Sequence, residues 1–261
     1  HAPPVLEALR RLGARAERLD LADLPQRVQL SFSAGRPGAA TRFARAGGGG
    51  FDAAEVEAVW WRRPRPYLTD PALAPAVAAW SAIQVHAAIS GVWSTLRAGW
   101  MNDPWLDERA GHKPAQLAAA EAAGLLVPPT LVGSSPTEAR AFLEELGDHP
   151  VVQKPLRATD ATWRPVRLLG EAGRARLEDL RLAPAILQAY VPGVDVRVTA
   201  AGHRLFATAI DARHTGSPHD FRPAYAEAEV APCDLPPDVA AGVRALLGRL
   251  GLRYAALDLR R

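Results

Sequence analysis

The sequence predicts a fold of the α/β (α+β) class, and three observations carry that prediction. Short β-branched runs separated by Pro and Gly fill residues 150–210, which is typical of strands and hairpins. Helical and strand patterns alternate through the first hundred residues, as in a small α/β lobe. The run Ser135-Pro-Thr-Glu138 is a capping box with Pro at the first helical position, so it marks a helix start.

The first hundred residues predict a small α/β lobe without internal repeats. Apolar residues at helical spacing with arginines on the other face predict the first helix. Asp52 is expected to cap a short helix, and Pro64 to end a strand. In order, we predict a helix over 5–19, strands over 27–33 and 41–45, a loop at 47–50, the helix after Asp52, a strand over 58–64, and one or two alanine-rich helices over 71–96.

The rest of the chain alternates in the same way after a boundary at residues 100–104. Gly124 and Gly251 each follow a helical pattern, where glycine commonly ends a helix. An antiparallel hairpin is expected to turn at Ala201-Gly202. The predicted helices cover 113–123, 135–146, 171–180 and 237–250, and the predicted strands cover 129–132, 151–155, 186–190, 194–210 (as the hairpin) and 253–259.

Bulk properties narrow the class of protein. At 261 residues the chain is long enough for two or three lobes, and its formal charge of +3 with a pI near 9.4 does not single out nucleic acid as a partner. We find no apolar run approaching the ~20 residues of a membrane span. The single cysteine, Cys233, cannot form an internal disulfide, which fits a reducing cytoplasm. No signal peptide is expected, and the missing initiator Met suggests a start inside a longer product.

Lysine use is unusual. Of 31 Lys and Arg residues only two are lysines, Lys113 at the start of a predicted helix and Lys154 near the end of a predicted strand. A compact ammonium meets a phosphate as a point charge, which an arginine fork does not reproduce. We therefore predict that both lysines bind phosphate, against the alternative of two surface residues that escaped the arginine bias.

Two Asp-x-Arg pairs are candidates for a polar cleft. In a strand, Asp195 and Arg197 point to one face and the valines between and beside them to the other. Asp220 and Arg222 repeat the spacing. Taken alone, each pair is better explained as a surface ion pair of little energetic value.

The order of motifs resembles that of the ATP-grasp ligases. Trp60-Trp-Arg-Arg-Pro64 and Asp220-Phe-Arg222 look more narrowly like the maturases of ribosomally made peptides, the graspetide or microviridin-type macrocyclases. The motifs that carry the wider resemblance are Asn102-Asp-Pro, Lys113, Gly124-Leu-Leu-Val-Pro-Pro-Thr130-Leu, Val151-Val-Gln-Lys154-Pro, Ile186-Leu-Gln-Ala-Tyr-Val191 and Asp195-Val-Arg197.

The resemblance implies the ATP-grasp fold in three lobes. These are a pre-ATP-grasp lobe over 1–100, a central lobe over 101–185 and a C-terminal grasp lobe over 186–261, with ATP between the last two. Lys113 and Lys154 would then contact the phosphates. The residues Gln188, Ala189, Tyr190 and Val191 would form the hinge that meets the adenine edge; alone, this run is better explained as a buried strand.

The same resemblance assigns catalytic roles. Arg197 and Arg222 would face the peptide substrate and its acyl phosphate, since an arginine fork suits a carboxylate. Asp220, more than Asp195, would accept the proton of the attacking group. Asp195 would instead bind ribose in the alternative assignment.

Metal binding is where the chain departs from the pattern. Asp258 emerges from an apolar strand as a candidate Mg²⁺ ligand. The resemblance also expects a following strand with Glu-x-Asn, and the given sequence stops before it. The loop over 157–170 has no glycine-rich phosphate cradle, and its polar candidates are Thr159, Asp160 and Thr162.

The function implied is an ATP-dependent, ADP-forming ligase acting on a precursor peptide with a leader and an acidic core. It would form side-chain ester or amide crosslinks, use ATP and Mg²⁺, work as a cytoplasmic homodimer and bind neither nucleic acid nor membrane. One alternative joins an amino acid to a peptide or small acid. Another is a non-catalytic protein that binds nucleotide or a peptide leader.

Other conspicuous residues are expected to be structural. The Trp60–Arg65 run is tempting as a peptide or nucleic-acid site, but a role at a lobe interface is the better explanation. The seven histidines show no metal-binding spacing, and Cys233 has no visible base partner for a nucleophile.

Overall fold

A computed structural model describes residues 2–157 and 166–261 of the chain. The chain divides into two compact units, His1–Met101 and Asn102–Arg261. The division of the second part into central and grasp lobes stays a prediction. The candidates Thr159, Asp160 and Thr162 lie outside the described residues.

The first unit contains a three-stranded antiparallel sheet, a parallel strand pair and one long helix. The sheet has the order β1-β2-β3, and β4 pairs in parallel with β5. The elements are α1 (Ala2–Arg11), β1 (Val28–Phe32), β2 (Thr41–Arg45), β3 (Gly50–Asp52), β4 (Ala58–Trp60), α2 (Pro75–Thr95) and β5 (Gly99–Met101), with 3-10 helices at Leu21–Asp23 and Ala53–Glu55.

Local signals explain where these elements begin and end. The Asp52 carboxylate accepts the N–H of Ala54 at 2.9 Å and opens the short helix there, as predicted. The first helix ends at Arg11, eight residues before the predicted end. Gly13 follows with φ of +76°, a conformation that ends helices and that the apolar spacing alone did not reveal.

Aromatic side chains form much of the core of the first unit. Trp61 lies edge-on to Trp93 at 6.1 Å and to Trp100 at 6.4 Å between ring centroids. Buried Phe43 stacks on Trp93 from the β-sheet. Trp61 therefore has a structural role, within the core of this unit.

The long helix α2 corrects one sequence-based expectation. Its 21 residues, with a hydropathy of 1.2, are long and apolar enough to cross a membrane by length and composition. The statement that no apolar run approaches this length was wrong, because α2 mixes Ala, Ser and Gln with larger apolar residues but carries no charge. Ile89, Val92 and Trp93 are buried in the core of the unit. A single such helix is weak evidence for a membrane span.

The second unit contains two four-stranded antiparallel sheets. We call β6-β9-β7-β8 the lysine sheet and β12-β11-β10-β13 the arginine sheet. The elements are α3 (Pro104–Ala110), α4 (Lys113–Ala122), β6 (Thr130–Gly133), α5 (Pro136–Leu146), β7 (Val151–Lys154), β8 (Arg167–Leu168), α6 (Glu171–Arg174), β9 (Ala185–Ala189), β10 (Asp195–Ala201), β11 (Arg204–Asp211), β12 (Glu229–Cys233), α7 (Pro237–Leu250) and β13 (Tyr254–Arg260), with a 3-10 helix at Leu177–Arg181.

The lysine sheet buries one face against α5. Val151 and Leu187 pack with Ala139 and Leu143 of that helix. Because side chains alternate along a strand, Lys154 and Gln188 point to the opposite face. The strand β9 lies between β6 and β7 in this sheet.

The arginine sheet alternates in the same way. Val196 and Val198 are buried and pack with Val243 and Leu247 of α7. Arg197, between the two valines, is only partly buried and lies on the other face. The predicted separation of a valine face from an Asp–Arg face is confirmed.

Asn102 joins the beginning of the second unit to its last strand. Its side chain is 2% exposed. The carboxamide oxygen accepts the N–H groups of Arg253 and Tyr254, each at 2.8 Å, and the amide nitrogen donates to the carbonyl of Tyr254 at 2.8 Å and to Asp107 at 3.1 Å. The sequence predicted a boundary and a family motif at this position, but not the contact with the last strand.

Candidate functional site

Lys113 is held at the start of α4 by a neutral partner. Its ammonium donates to the side-chain oxygen of Gln116, one helical turn on, at 2.9 Å. The amide nitrogen of Gln116 in turn donates to the carbonyl of Ala110 at 2.5 Å. Among the described residues, no carboxylate pairs with Lys113 within salt-bridge distance.

Lys154 has the same kind of partner on the lysine sheet. Its ammonium donates to the side-chain oxygen of Gln188 at 2.7 Å. The amide nitrogen of Gln188 donates to the hydroxyl of Thr130 at 2.7 Å, and this hydroxyl donates to the carbonyl of Pro128 at 2.6 Å. Three neighbouring strands, β6, β9 and β7, thus supply one hydrogen-bonded chain.

The two lysines share one electrostatic environment. Burial lowers the pKa of Lys154, and the positive charge of Lys113 lowers it further. Burial also lowers the pKa of Lys113, while Asp258 opposes the shift and Arg222 adds to it. The positive charge of Lys113 thus acts on Lys154, although the residues are 41 positions apart in the sequence. A polyphosphate would relieve that repulsion.

The arginine sheet contributes two cross-strand ion pairs on the face that carries Arg197. Arg197 of β10 lies opposite Asp258 of β13, and its Nε and Nη2 atoms donate to the two carboxylate oxygens at 2.9 and 3.0 Å. Asp195 stands opposite Arg260, whose guanidinium contacts both carboxylate oxygens at 3.0 and 3.1 Å. Asp195 and Arg197 therefore do not pair with each other, as their spacing alone suggested; each pairs with a residue on the adjacent strand β13.

Asp220 and Arg222 form a third pair, in a loop. Arg222 donates to both oxygens of Asp220, at 2.7 and 3.0 Å, and the N–H of Val166 donates to one of them at 3.0 Å. The Asp220 side chain is 2% exposed and that of Arg222 is 47% exposed, so the carboxylate of this pair is buried while the guanidinium reaches the surface. Burial alone would raise the pKa of Asp220, but the bonds from Arg222 and Val166 hold it below its usual value.

The pKa of Asp195 is shifted the other way. Burial raises it, Arg260 opposes the rise, and the nearby negative charges of Asp258 and Asp220 add to it. The negative charges of Asp258 and Asp220 thus act on Asp195, as the positive charge of Lys113 acts on Lys154. Five cationic and three anionic side chains meet in one polar region: Lys113, Lys154, Arg197, Arg222, Arg260, Asp195, Asp220 and Asp258.

The predicted hinge begins in β9 and continues beyond it. The N–H groups of Ala189 and Tyr190 donate to the carbonyls of Pro129 and Pro150, at 2.9 and 2.8 Å. Within the described residues no hydrogen bond engages the N–H of Val191, which leaves it as the donor for a base edge. The Tyr190 hydroxyl accepts from Arg260 at 2.9 Å, which connects the hinge to the ion pairs.

The described residues contain no group of three His, Cys, Asp or Glu side chains that could hold a metal ion. Asp258 is about half exposed and its negative charge acts on Lys113, which fits a single protein carboxylate on a metal–nucleotide complex. Each of its two oxygens accepts one hydrogen bond from Arg197 and keeps a lone pair that could bind a metal ion.

Sequence reasoning missed several contributors. Arg260 was overlooked, although it lies two residues after Asp258 and hence on the same face of β13. Gln116 and Thr130 were missed because their roles depend on contacts with the lysines and Gln188. Another Asp-x-Arg run, Asp211–Arg213, forms an ion pair at 2.6 Å whose arginine is largely exposed. The spacing alone does not distinguish this surface pair from the site.

The chain resembles known proteins over its whole length. A family model described as the MvdD pre-ATP-grasp domain matches residues 2–108. No curated protein matches the chain. Its fold is similar to that of the macrocyclase MdnC from Microcystis aeruginosa, solved with the precursor peptide MdnA, with 25% identity and a TM-score of 0.87 over 99% of this chain and 82% of that one.

Two other solved structures show the same fold at lower identity. The ATP-grasp ligase associated with ribosomally made peptides from Chryseobacterium gregarium, solved with ADP and a leader and core peptide, is 21% identical, with a TM-score of 0.86 over 98% of this chain and 80% of that one. The ATP-grasp ligase PsnB, solved with a minimal precursor, Mg and ADP, is 23% identical, with a TM-score of 0.75 over 100% of this chain and 80% of that one.

These findings confirm two predictions from the sequence, the ATP-grasp fold and the resemblance to peptide maturases. Residues 2–108 match the family model of the MvdD pre-ATP-grasp domain, and the chain as a whole has the fold of the ATP-grasp ligases and resembles peptide macrocyclases among them.

Proposed function

We propose that this protein is an ATP-dependent ligase that forms side-chain ester or amide crosslinks in a ribosomally made precursor peptide. The observation that carries the proposal is that, among the described residues of a chain with this fold, Lys113 and Lys154 each donate to a glutamine and to no carboxylate within salt-bridge distance. The charge of Lys113 also acts on Lys154, with Arg222 and Arg260 adding to it, so the charge of both lysines is available to a polyphosphate.

ATP is the phosphate donor in this proposal. Lys113 and Lys154 bind its phosphates, and the hinge from Gln188 to Val191 meets the base through its backbone. Asp258 supplies a carboxylate for Mg²⁺, which on a nucleotide needs only one or two protein ligands beside the phosphates. The complexes of PsnB with Mg and ADP support this pair of cofactors.

The arginines hold the acid that is activated. A peptide carboxylate takes the terminal phosphoryl group of ATP, and the bond to ADP breaks. A Ser or Thr hydroxyl or a Lys amine then attacks the acyl carbon, loses its proton, and phosphate leaves. Arg197 and Arg222 suit both the carboxylate and its phosphorylated form, because a guanidinium fork matches either group.

The aspartates divide into a positioning residue and a base. Both oxygens of Asp220 are engaged by Arg222 and Val166, and its lowered pKa makes it a poor proton acceptor. It positions Arg222. Burial raises the pKa of Asp195, which makes it a better proton acceptor than Asp220, so we favour Asp195 for the proton of the nucleophile.

Precursor peptides encoded beside the gene provide the test. Incubation with the enzyme, ATP and Mg²⁺ is expected to remove one water per crosslink and to release ADP and phosphate, as measured by mass spectrometry and coupled ADP detection. The Lys154→Ala variant is the matched control and should leave the peptide unchanged. Release of AMP would contradict the acyl-phosphate route.

Two other outcomes would redirect the proposal. A mass gain that depends on an added amino acid would identify a ligase with a free acceptor; the fold is also shared with D-cycloserine synthetase, at a TM-score of 0.61 and 22% identity. Nucleotide binding without turnover would identify a binding protein. Light scattering tests the homodimer, and fractionation of the source cells tests the cytoplasmic location.

A further inference from the structure

The two lysines of the chain are each held by a glutamine, and this repetition is the starting observation. Lys113 contacts Gln116, and Lys154 contacts Gln188, in both cases through the amide oxygen. The glutamines lie on different elements, α4 and β9, so the repetition is not a consequence of one local motif. Each of the three arginines of the site is instead held by an aspartate.

The orientation of each amide is fixed by chemistry. An ammonium only donates, so an amide oxygen must face each lysine. The nitrogen of Gln116 donates to a backbone carbonyl, that of Ala110. The nitrogen of Gln188 donates to Thr130, whose hydroxyl proton is already directed to Pro128 and which therefore must accept. Neither amide can turn over without losing two hydrogen bonds.

We propose that Gln116 and Gln188 are positioning residues that fix the two lysines without neutralising them, with Thr130 setting the orientation of Gln188. A glutamate at either position would hold the lysine in the same place but cancel its charge. The neutral amide thus leaves the full charge of both lysines for the phosphates of the nucleotide. This inference rests on the proposed function, since it assumes that a polyphosphate is bound there.

The experiment compares how tightly AMPPNP and adenosine bind, each measured by calorimetry or by competition. Gln188→Glu is expected to weaken AMPPNP binding by about tenfold while leaving adenosine binding within about twofold, because a hydrogen-bonded charge next to Lys154 opposes only the phosphates. Gln116→Glu should behave alike. A loss equal for both ligands would mean that Gln188 serves the hinge, and would overturn the inference.

Gln153→Glu is the matched control. It adds the same charge one residue from Lys154, but at an exposed position whose side chain points to the other side of β7. AMPPNP affinity should change by less than about twofold in this variant, since exposed charges are screened. A loss as large as that of Gln188→Glu would show that any added negative charge has this effect.

Thr130 gives a second, charge-free test. Thr130→Val removes the acceptor for the Gln188 amide and should weaken AMPPNP binding a few-fold, whereas Thr130→Ser keeps the hydroxyl and should retain wild-type affinity. Equal affinities for both variants would contradict the relay. If wild-type protein itself fails to bind AMPPNP, the proposed function falls with the inference, whereas binding without phosphate selectivity overturns the inference alone.

Discussion

The lysine sheet and the arginine sheet carry cations in different ways. On the lysine sheet, Lys154 is held by the neutral amide of Gln188, and burial and neighbouring cations lower its pKa. On the arginine sheet, Arg197 and Arg260 are each bound by an aspartate on the adjacent strand. Within the described residues, one sheet thus presents an ammonium that no carboxylate contacts, and the other presents guanidinium groups that are each paired with a carboxylate.

The difference indicates two tasks. An ammonium that no carboxylate contacts attracts a polyanion whenever one is present, which suits the phosphates of a nucleotide. A guanidinium paired with a carboxylate stays ordered in the free protein and exchanges its partner only for another anion of similar geometry. This suits a peptide carboxylate and the phosphorylated form that follows it.

The sharpest test of the contrast removes the ammonium of the lysine sheet. Lys154→Ala is expected to lower kcat/KM by about 10³-fold, because a charge aimed at the transferred phosphoryl group is lost. Lys154→Arg should recover little of it, since a planar fork does not replace a point charge. Coupled detection of ADP release gives both values. Activity within threefold of wild type for Lys154→Ala would refute its role.

The second-largest loss of activity is expected when a paired guanidinium is removed. Arg222→Ala should lower kcat/KM for the peptide by about 10²-fold while the KM for ATP stays nearly constant, because its anion is the peptide acid. Arg213→Ala is the matched control, with the same Asp-x-Arg spacing in an exposed ion pair. If both variants lose the same activity, the paired arginines have no special task.

Paired and unpaired charges should also differ in their contribution to the free energy of unfolding. Asp220→Asn should lower the free energy of unfolding by about 1–3 kcal/mol, because it disturbs buried bonds to Arg222 and Val166. Since the pKa of Asp220 is lowered, its contribution is complete above the ordinary carboxyl pKa and is lost as pH falls through the folded-state value, below about pH 4. Urea unfolding at pH 7 and pH 3 should show a larger difference between variant and wild type at pH 7.

The smallest expected effect has the opposite sign. Lys154→Met should raise the free energy of unfolding by about 0.5–1 kcal/mol, because it removes a partly buried ammonium that lies near other cations. Thermal unfolding without nucleotide measures it. Destabilisation by this variant would show that the bond to Gln188 outweighs the repulsion, and would weaken the distinction between the sheets.

Much of the fold could be predicted from local signals. The capping box at Ser135, the glycine after α7 and the alternation in β10 each specify one element through short-range chemistry, and the structure has all three. The end of α1 and the apolar character of α2 were misjudged. Helix α1 ends early because Gly13 has a positive φ. Helix α2 is apolar enough for a membrane span because it contains no Asp, Glu, Lys or Arg, although polar and apolar residues are mixed within it.

The site was predictable only in part. The rarity of lysine identified Lys113 and Lys154, and alternation gave the polar face with Asp195 and Arg197. The partners were not predictable, because they depend on strand register: Arg197 meets Asp258, 61 residues away, instead of its near neighbour. Arg260 was missed for the same reason.

The clamp made by Asn102 has a consequence for how the protein is made. The backbone that this amide binds, at Arg253 and Tyr254, leaves the ribosome about 150 residues later. Asp258 and Arg260 emerge with it, long after both lysines. A nascent chain that stops short of this strand carries both lysines but lacks the carboxylate of Asp258, and its Asn102 lacks the backbone that it binds. Translation order therefore delays these contacts until β13 has been made.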